Sequence, residues 1–405
     1  MEYKLGSVEQ EQEQERRVVA KYERLKALGT EKFKEKKYEE AIQYYDAAAD
    51  VIYRYSADGD TSSDPTRLSY YVVCKSNAAQ CCINLNDFKG AIGYASSAIL
   101  KDPTNAKALY RRGTSFLALF RFDNAIGDLK SCLALTLDPR PKKDVEKELK
   151  NAVNMYLHYS IALGDLEKTK SLLEEGTDLK YVDQEVHGFL KTASEQGYLD
   201  IVELLLSKGA NIHDRDTVNG CSSLFIASQY GHLDIVELLL SKGANIHDKA
   251  TTHGGNSLFV ASQNGHLGIV ELLLSKGANI HDKATVNGYS SLMIASEKGH
   301  LGIVELLLSK GANIHDKATT HGYSSLMIAS YQGHLGIVEL LLSKGANIHD
   351  KATGGSSLFI ASQEGHFEIR DILEKWDVTM MLIVLEDDIS NLDYPNFFVD
   401  FKQYI

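Results

Sequence analysis

"GHLGIVELLLSKGANIHDKAT" runs from Gly265 to Thr285, and the same phrase returns at Gly299 and again at Gly333. Close variants begin at Gly231 and Gly197, so five starts stand 34 residues apart. A further copy begins at Gly365, 32 residues after Gly333, because "DKATGGSSL" is two residues shorter than "DKATTHGYSSL". Upstream, "LGDLEKTKSLLEEGTDLKYVD" places Gly164 33 residues before Gly197. A fixed period of this size marks units too small to bury a core alone, which become stable by stacking on their neighbours. Within one unit Leu267, Ile269, Val270, Leu272, Leu273 and Leu274 cover more than one side of a helix, as a helix sandwiched between neighbours requires. A shorter helix, "SLFVASQNG", precedes it and opens on small polar residues that can cap its N-terminus. Gly277 in "SKGAN" stops the second helix, and "IHDKATVNG" reads as an extended turn into the next unit. Each unit is predicted to be helix, turn, helix and projecting hairpin.

The phrase G-H-L-x-I-V-x-L-L-L-x-x-G-A-N resembles the second half of an ankyrin repeat. Its period gives about seven units between roughly Asn154 and Trp376, within a domain spanning 151–376. The first half departs from the family, which usually has Thr-Pro-Leu-His where this chain has "SSLF" from Ser222, "SSLM" from Ser290 and "NSLF" from Asn256. That departure bears on the rigidity of each unit and leaves the fold unchanged. His232, His266, His300, His334 and His366 follow a glycine between the two helices, where the resemblance implies a structural bond to backbone in the turn. His213, His247, His281, His315 and His349 stand beside Asp214, Asp248, Asp282, Asp316 and Asp350 at the start of each hairpin. A metal needs several ligands converging on one point, whereas stacked units hold equivalent residues roughly 10 Å apart. The histidines are therefore read as structural, with no metal. Ankyrin arrays usually bind partners through hairpin tips and the exposed side of the first helix. On that resemblance the candidate partner surface is Tyr230, Asn264, Tyr289, Lys298, Tyr323 and Gln332, where the units differ.

The first 150 residues have another character. "LKALGTEKFKEKKYEEAIQYYDAAADVI" from Leu25, "NAAQCCINLNDFKGAIGYASSAILKDP" from Asn77 and "LYRRGTSFLALFRFDNAIGDLKSCLAL" from Leu109 share small and aromatic residues at matching places. Ala91 and Ala125, 34 apart, allow two antiparallel helices to approach closely. This segment resembles three tetratricopeptide repeats over 19–150, closed by a helix over "PKKDVEKELKNAVNMYL", with "YSADGDTSSDPT" as a loop lengthening the first unit. Lys26 and Thr30 share a face of the first helix, as do Lys107 and Arg111 of the fifth, and Asn77 lies in the third. Cations and amides in that arrangement match a ligand offering two carboxylates. Lys26, Asn77, Lys107 and Arg111 are similar to the carboxylate clamp that takes the C-terminal Glu-Glu-Val-Asp of cytosolic heat-shock chaperones. Thr30 stands where many clamps have Asn. Lys-x-x-Gly-Thr and "LYRRG" resemble the immunophilin-type prolyl isomerases, which implies the ninety-kilodalton chaperone over the seventy.

Bulk properties fit this picture. The 405 residues are 24% charged and 44% hydrophobic, with a net charge of -12; the acidic balance argues against nucleic acid and against anionic membrane. Five cysteines, at 74, 81, 82, 132 and 221, form no CxxC and fit reduced thiols in cytosol or nucleus. "MEYKLGSVEQEQEQERR" has no apolar core of a signal peptide, and "VTMMLIVL" is too short to cross a bilayer. Residues 1–18 read as a solvated helical extension and 377–405 as a helical cap on the last unit. No GxxxxGK[ST], HExxH or GxSxG occurs. The expectation is an all-α, non-enzymatic, cytoplasmic monomer built of two tandem α-solenoids, with no cofactor. It would carry a chaperone tail on one solenoid and a second protein on the other. A scaffold with a different tetratricopeptide ligand and a targeting subunit of a separate enzyme are the alternatives.

Overall fold

The computed structural model describes residues 2–54, 64–174, 188–216, 218–252 and 254–390. Most of the "YSADGDTSSDPT" loop, part of the Gly164 unit and the tail beyond 390 lie outside the described residues. The described chain is all α-helix, with isolated β-bridges in the hairpins. It divides into two compact units, Met1–Tyr159 with Ser171–Thr177, and Ser160–Lys170 with Asp178–Ile405.

The first unit is a run of paired helices. Its elements are α1 (Glu2–Lys34), α2 (Tyr38–Arg54), α3 (Pro65–Asn84), α4 (Phe88–Lys101), α5 (Ala106–Ala118), α6 (Phe122–Leu135) and α7 (Pro139–Ala162). Local sequence starts them: Asp64 accepts from the Thr66 and Arg67 N–H with Pro65 behind it, and Asp87 and Asn105 cap α4 and α5. Ala91 and Ala125 are fully buried at the helix crossings. One core joins Tyr22, Tyr45, Ile52, Cys74 and Cys81, and another joins Leu109, Phe122, Leu129, Cys132 and Val145. The expected N-terminal extension is the start of α1. Helix α7 runs through the 150/151 border, so the residues from Asn154, expected to open the next array, are its last turns.

The second unit continues with α8 (Leu166–Glu174), then the pairs α9 (Phe189–Gln196) with α10 (Leu199–Ser207) and α11 (Ser223–Tyr230) with α12 (Leu233–Ser241). It goes on through α13 (Ser257–Asn264), α14 (Leu267–Ser275), α15 (Ser291–Lys298), α16 (Leu301–Ser309), α17 (Ser325–Gln332), α18 (Leu335–Ser343), α19 (Ser357–Gln363) and α20 (Phe367–Ser390). Ser222, Asn256, Ser290, Ser324 and Ser356 cap the first helix of each pair by accepting a backbone N–H three residues on, the role left open by the missing Thr-Pro. The cap expected over 377–405 begins as the continuation of α20.

Neighbouring pairs are joined by the histidines. Nε2 of His232, His266, His300 and His334 donates to the carbonyl of Glu195, Gln229, Gln263 and Glu297 in the preceding unit, at 3.0–3.1 Å. His366 does the same to Tyr331 at 3.0 Å. The bond crosses between units, where sequence reading placed it within one turn. Gly265 shows why the residue facing the imidazole is glycine: its φ is +82°, and a Cβ there would sit 2.7 Å from Cε1 of His300. Hairpins add a second ladder. Lys283 pairs with Asp316 and Lys317 with Asp350, each reaching one unit on, at 3.0 and 2.9 Å. The rings of His213, His247, His281, His315 and His349 stay exposed while their backbone N–H bonds to the Asn two residues back. No group of three His, Cys, Asp or Glu among the described residues can hold a metal.

One interface breaks the pattern. Lys191 and Asp216 occupy positions filled elsewhere by Phe or Met and by alanine, and they pair at 3.1 Å with side chains 11% and 2% exposed. Burial pushes the Asp216 carboxyl up, but donation from the Asn219 N–H, Lys191 and the Cys221 N–H outweighs it and brings the pKa to about 2. Its folded value lies below the usual carboxylate range of about 3.9. The stabilisation is therefore complete above roughly pH 4 and is lost as pH falls through about 2. Urea unfolding at pH 7 should show Asp216→Ala costing about 3–5 kcal/mol through the stranded ammonium, with Lys191→Phe/Asp216→Ala recovering most of it. In the same measurement His300→Ala should cost about 1–3 kcal/mol, since it leaves the Gln263 carbonyl unpaired.

Candidate functional site

Helices α1, α3 and α5 are the leading members of successive pairs and lie side by side. Arg67 Nη2 of α3 donates to Glu15 of α1 at 2.8 Å, and Tyr22 stacks on Tyr70 with ring centroids 4.4 Å apart. Arg111 of α5 reaches α3, where Nη1 donates to the carbonyl and hydroxyl of Ser76 at 2.7 and 2.6 Å and Nε donates to Gln80 at 3.1 Å. These bonds bring together the helices that carry Lys26, Thr30, Asn77, Lys107 and Arg111.

The five side chains are not equally free. Lys26 lies 5.4 Å from the centre of the Tyr22 ring and 3.5 Å from Glu23, a loose exposed pair of small energetic weight. Thr30 donates its hydroxyl to the Lys26 carbonyl at 2.9 Å and lies 3.2 Å from Tyr45 Oη, so its proton is committed inside the fold. Arg111 spends Nη1 and Nε on α3, and burial draws its pKa below the ordinary arginine value. Asn77 is half-buried and Lys107 exposed, and neither has a side-chain partner among the described residues. Among the five, Asn77 of α3 and Lys107 of α5 are therefore uncommitted, while Thr30 and Arg111 are engaged inside the fold. Sequence reading missed the residues that hold this arrangement: Ser76, Gln80 and Tyr45.

The two arginines of "LYRRG" diverge. Arg112 forms a two-point pair with Asp128 at 2.7 and 2.8 Å and touches Ser96, while Gly113 lets α5 approach Leu129 of α6. Burial raises the thiols of Cys74 and Cys82 to about 12 and those of Cys81 and Cys221 to about 11. They remain protonated near neutrality, which leaves them poor nucleophiles.

In the second unit the expected surface residues fall into two cavities. Tyr230 and Asn264 line one of about 370 Å³, where the Tyr230 hydroxyl donates to Glu195 at 3.1 Å and Asn264 donates to the Val260 carbonyl. Tyr289, Tyr323 and Gln332 line another of about 570 Å³ together with Glu297, His321 and Tyr331. Lys298 lines neither and pairs with Glu297 at 2.9 Å. Burial, then the nearby Glu297 and Tyr323, raises the Tyr289 hydroxyl above the usual tyrosine pKa. Glu297, His321 and Tyr331 went unread, although Glu297 and Tyr331 replace the glutamines found at 229 and 263.

The ankyrin repeats family matches this chain three times, over residues 157–250, 247–318 and 292–380, which together exceed half its length. The chain belongs to the ankyrin-repeat family. Membership gives the array the role of a protein-binding surface. The chain also resembles, at 30% identity over 144 residues, the peptidyl-prolyl cis-trans isomerase FKBP4 of Bos taurus, covering 33% of this chain and 31% of that one. Sperm-associated antigen 1 of Mus musculus is 30% identical over 133 residues, 32% of this chain and 13% of that protein. The chain thus spans about a third or less of these curated relatives. Among solved structures it is similar to the human ASB11 ankyrin repeat domain, with 27% identity, a TM-score of 0.47, and coverage of 53% of this chain and 96% of that one. No described helix of this ankyrin-repeat protein is long and apolar enough to cross a membrane.

Stability should separate binding groups from building groups in the first unit. Lys107→Ala and Asn77→Ala should each change the unfolding free energy by no more than about 0.5 kcal/mol. Arg112→Ala should lose about 3–5 kcal/mol by stranding the Asp128 carboxylate. Chemical denaturation of the three variants followed by far-ultraviolet circular dichroism checks this.

Proposed function

We propose that this protein is a non-catalytic adaptor. Its first unit, a tetratricopeptide domain, takes the acidic C-terminal Glu-Glu-Val-Asp tail of a heat-shock chaperone of the ninety-kilodalton class, and its ankyrin array holds a second protein. The single observation that supports this reading is the pair of unspent groups, Asn77 on α3 and Lys107 on α5, with Lys107 one helical turn from Arg111, which bonds α5 to α3. Similarity to a peptidyl-prolyl isomerase supports it, because the sequence resembles the immunophilin type in its "LYRRG" and Lys-x-x-Gly-Thr phrases.

In this reading the five residues divide the labour. Lys107 and Lys26 supply charge to the terminal main-chain and side-chain carboxylates. Asn77 orients the backbone of the last residue with its amide. Arg111, anchored on Ser76 and Gln80, stiffens the floor and offers Nη2 and its field. Thr30 acts through Tyr45, fixing the packing beneath Lys26. Each charge-assisted hydrogen bond contributes about 1.5–3 kcal/mol, so two or three such bonds give micromolar, reversible capture after ordering costs. Isothermal titration of the full chain with acetyl-Met-Glu-Glu-Val-Asp should give a Kd on the order of micromolar, weakened at least tenfold by Lys107→Ala/Arg111→Ala and by amidating the peptide's C-terminus. Equal binding by the double variant would remove the carboxylate reading and leave the ankyrin assignment standing.

A further inference from the structure

We infer that the cavity lined by Tyr289, Tyr323 and Tyr331 binds an arginine side chain of the array's protein partner. This goes beyond the adaptor reading by giving the second surface a chemistry, and it is independent of the carboxylate site on the first unit.

The cavity, about 570 Å³, has a buried apolar floor of Met327 and Ile328 and walls built from three phenol rings and the His321 imidazole. Glu297 is the one carboxylate in its lining, and the Gln332 amide oxygen, the tyrosine hydroxyl oxygens and Thr353, whose proton goes to the His321 carbonyl, offer further acceptor oxygens beside the donors of the amide and phenols. Aromatic faces attract a cation through their negative quadrupole, and a carboxylate at the edge fixes its sign. A guanidinium suits both, because it stacks flat on rings and carries five donors for separated acceptors. A lysine ammonium is a strongly hydrated point charge that meets only part of this lining.

Among the described units this combination of side chains occurs once, for local reasons. Tyr289 and Tyr323 stand where earlier units have Cys221 and Gly255, and Glu297 and Tyr331 stand where they have Gln229 and Gln263. The next hairpin is the one shortened by two residues, and it passes Gly354 so close to Tyr323 that a Cβ there would lie 2.4 Å from the hydroxyl. The corresponding cavity between earlier units is smaller, about 370 Å³; its carboxylate, Glu195, accepts from the Tyr230 hydroxyl, and Lys191 also lines it, paired with Asp216. At present Lys298 Nζ holds Glu297 at 2.9 Å, with Lys298 42% exposed. Exposed pairs of this kind contribute little, so an incoming guanidinium replaces it.

The test is fluorescence anisotropy of the full chain with labelled Gly-Ser-Gly-Arg-Gly-Ser-Gly and its lysine and citrulline counterparts. The arginine peptide should bind with a Kd below about 1 mM, and the citrulline form, which keeps the shape and loses the charge, at least about tenfold more weakly. The lysine peptide should also be weaker. Glu297→Gln should weaken the arginine peptide about tenfold and Tyr331→Ala about fivefold, while Lys298→Ala should tighten it. Tyr331 is 51% exposed, so its replacement leaves the fold in place and keeps the test decisive should the Glu297 variant be unstable. Lys107→Ala/Arg111→Ala should leave arginine-peptide binding unchanged, and Tyr331→Ala should leave acidic-peptide binding unchanged, which keeps the two sites distinguishable. Equal affinity for arginine and citrulline, equal affinity for arginine and lysine, wild-type binding by both Glu297→Gln and Tyr331→Ala, or no saturable binding up to about 10 mM would each overturn the assignment.

Discussion

The hydrogen bond from each inter-helix histidine to a carbonyl one unit back is the constraint on which the array depends. The last carbonyls of a short helix have no partner inside it, and an eight-residue first helix has few turns over which to dilute that cost. His300 meets the Gln263 carbonyl and thereby closes one helix while fixing the distance to the next unit. Only glycine can stand opposite the ring, because position 265 needs both a left-handed backbone and the space a Cβ would take. One interaction therefore sets helix termination, unit spacing and register, and it recurs five times. In a stack where each unit touches only its neighbours, stability is close to a sum of such interfaces.

A rigid register makes departures from the repeat meaningful. Residues 34 apart hold equivalent places in adjacent units, so a change in one unit is met by the side chains of the next. Lys191 and Asp216 form a buried ion pair at one end of the described array. Such a pair costs desolvation that Phe and Ala at the same places do not incur, and three backbone N–H groups also bind the carboxylate. The second departure, tyrosines at 289 and 323 with Glu297 and Tyr331, lines a cavity in which Tyr331 is 51% exposed. Both depart from the consensus of this chain's own units, and burial decides that one is structural and the other is a candidate surface.

The first unit shows the same division on fewer residues. Arg111 and Arg112 are adjacent in sequence, yet one is bonded to α3 and the other to Asp128 of α6. Helical geometry turns consecutive side chains by about 100°, so their fates diverge.

Sequence by itself determined that the chain is helical and repetitive, because a 34-residue period and the apolar stripe of "IVELLL" are local facts. It also placed the capping serines, the stopping glycines and the helices carrying Lys26, Asn77 and Lys107. Only the tertiary structure decided that α7 crosses the expected border without a break, since nothing in "NAVNMYLHYSIA" interrupts a helix. It alone decided that the histidines bond across units, that Thr30 and most of Arg111 are spent inside the fold, and that Glu297 and Tyr323 line one cavity. The reason is physical: period and capping are written in neighbours along the chain, whereas commitment of a polar group depends on which distant group reaches it first.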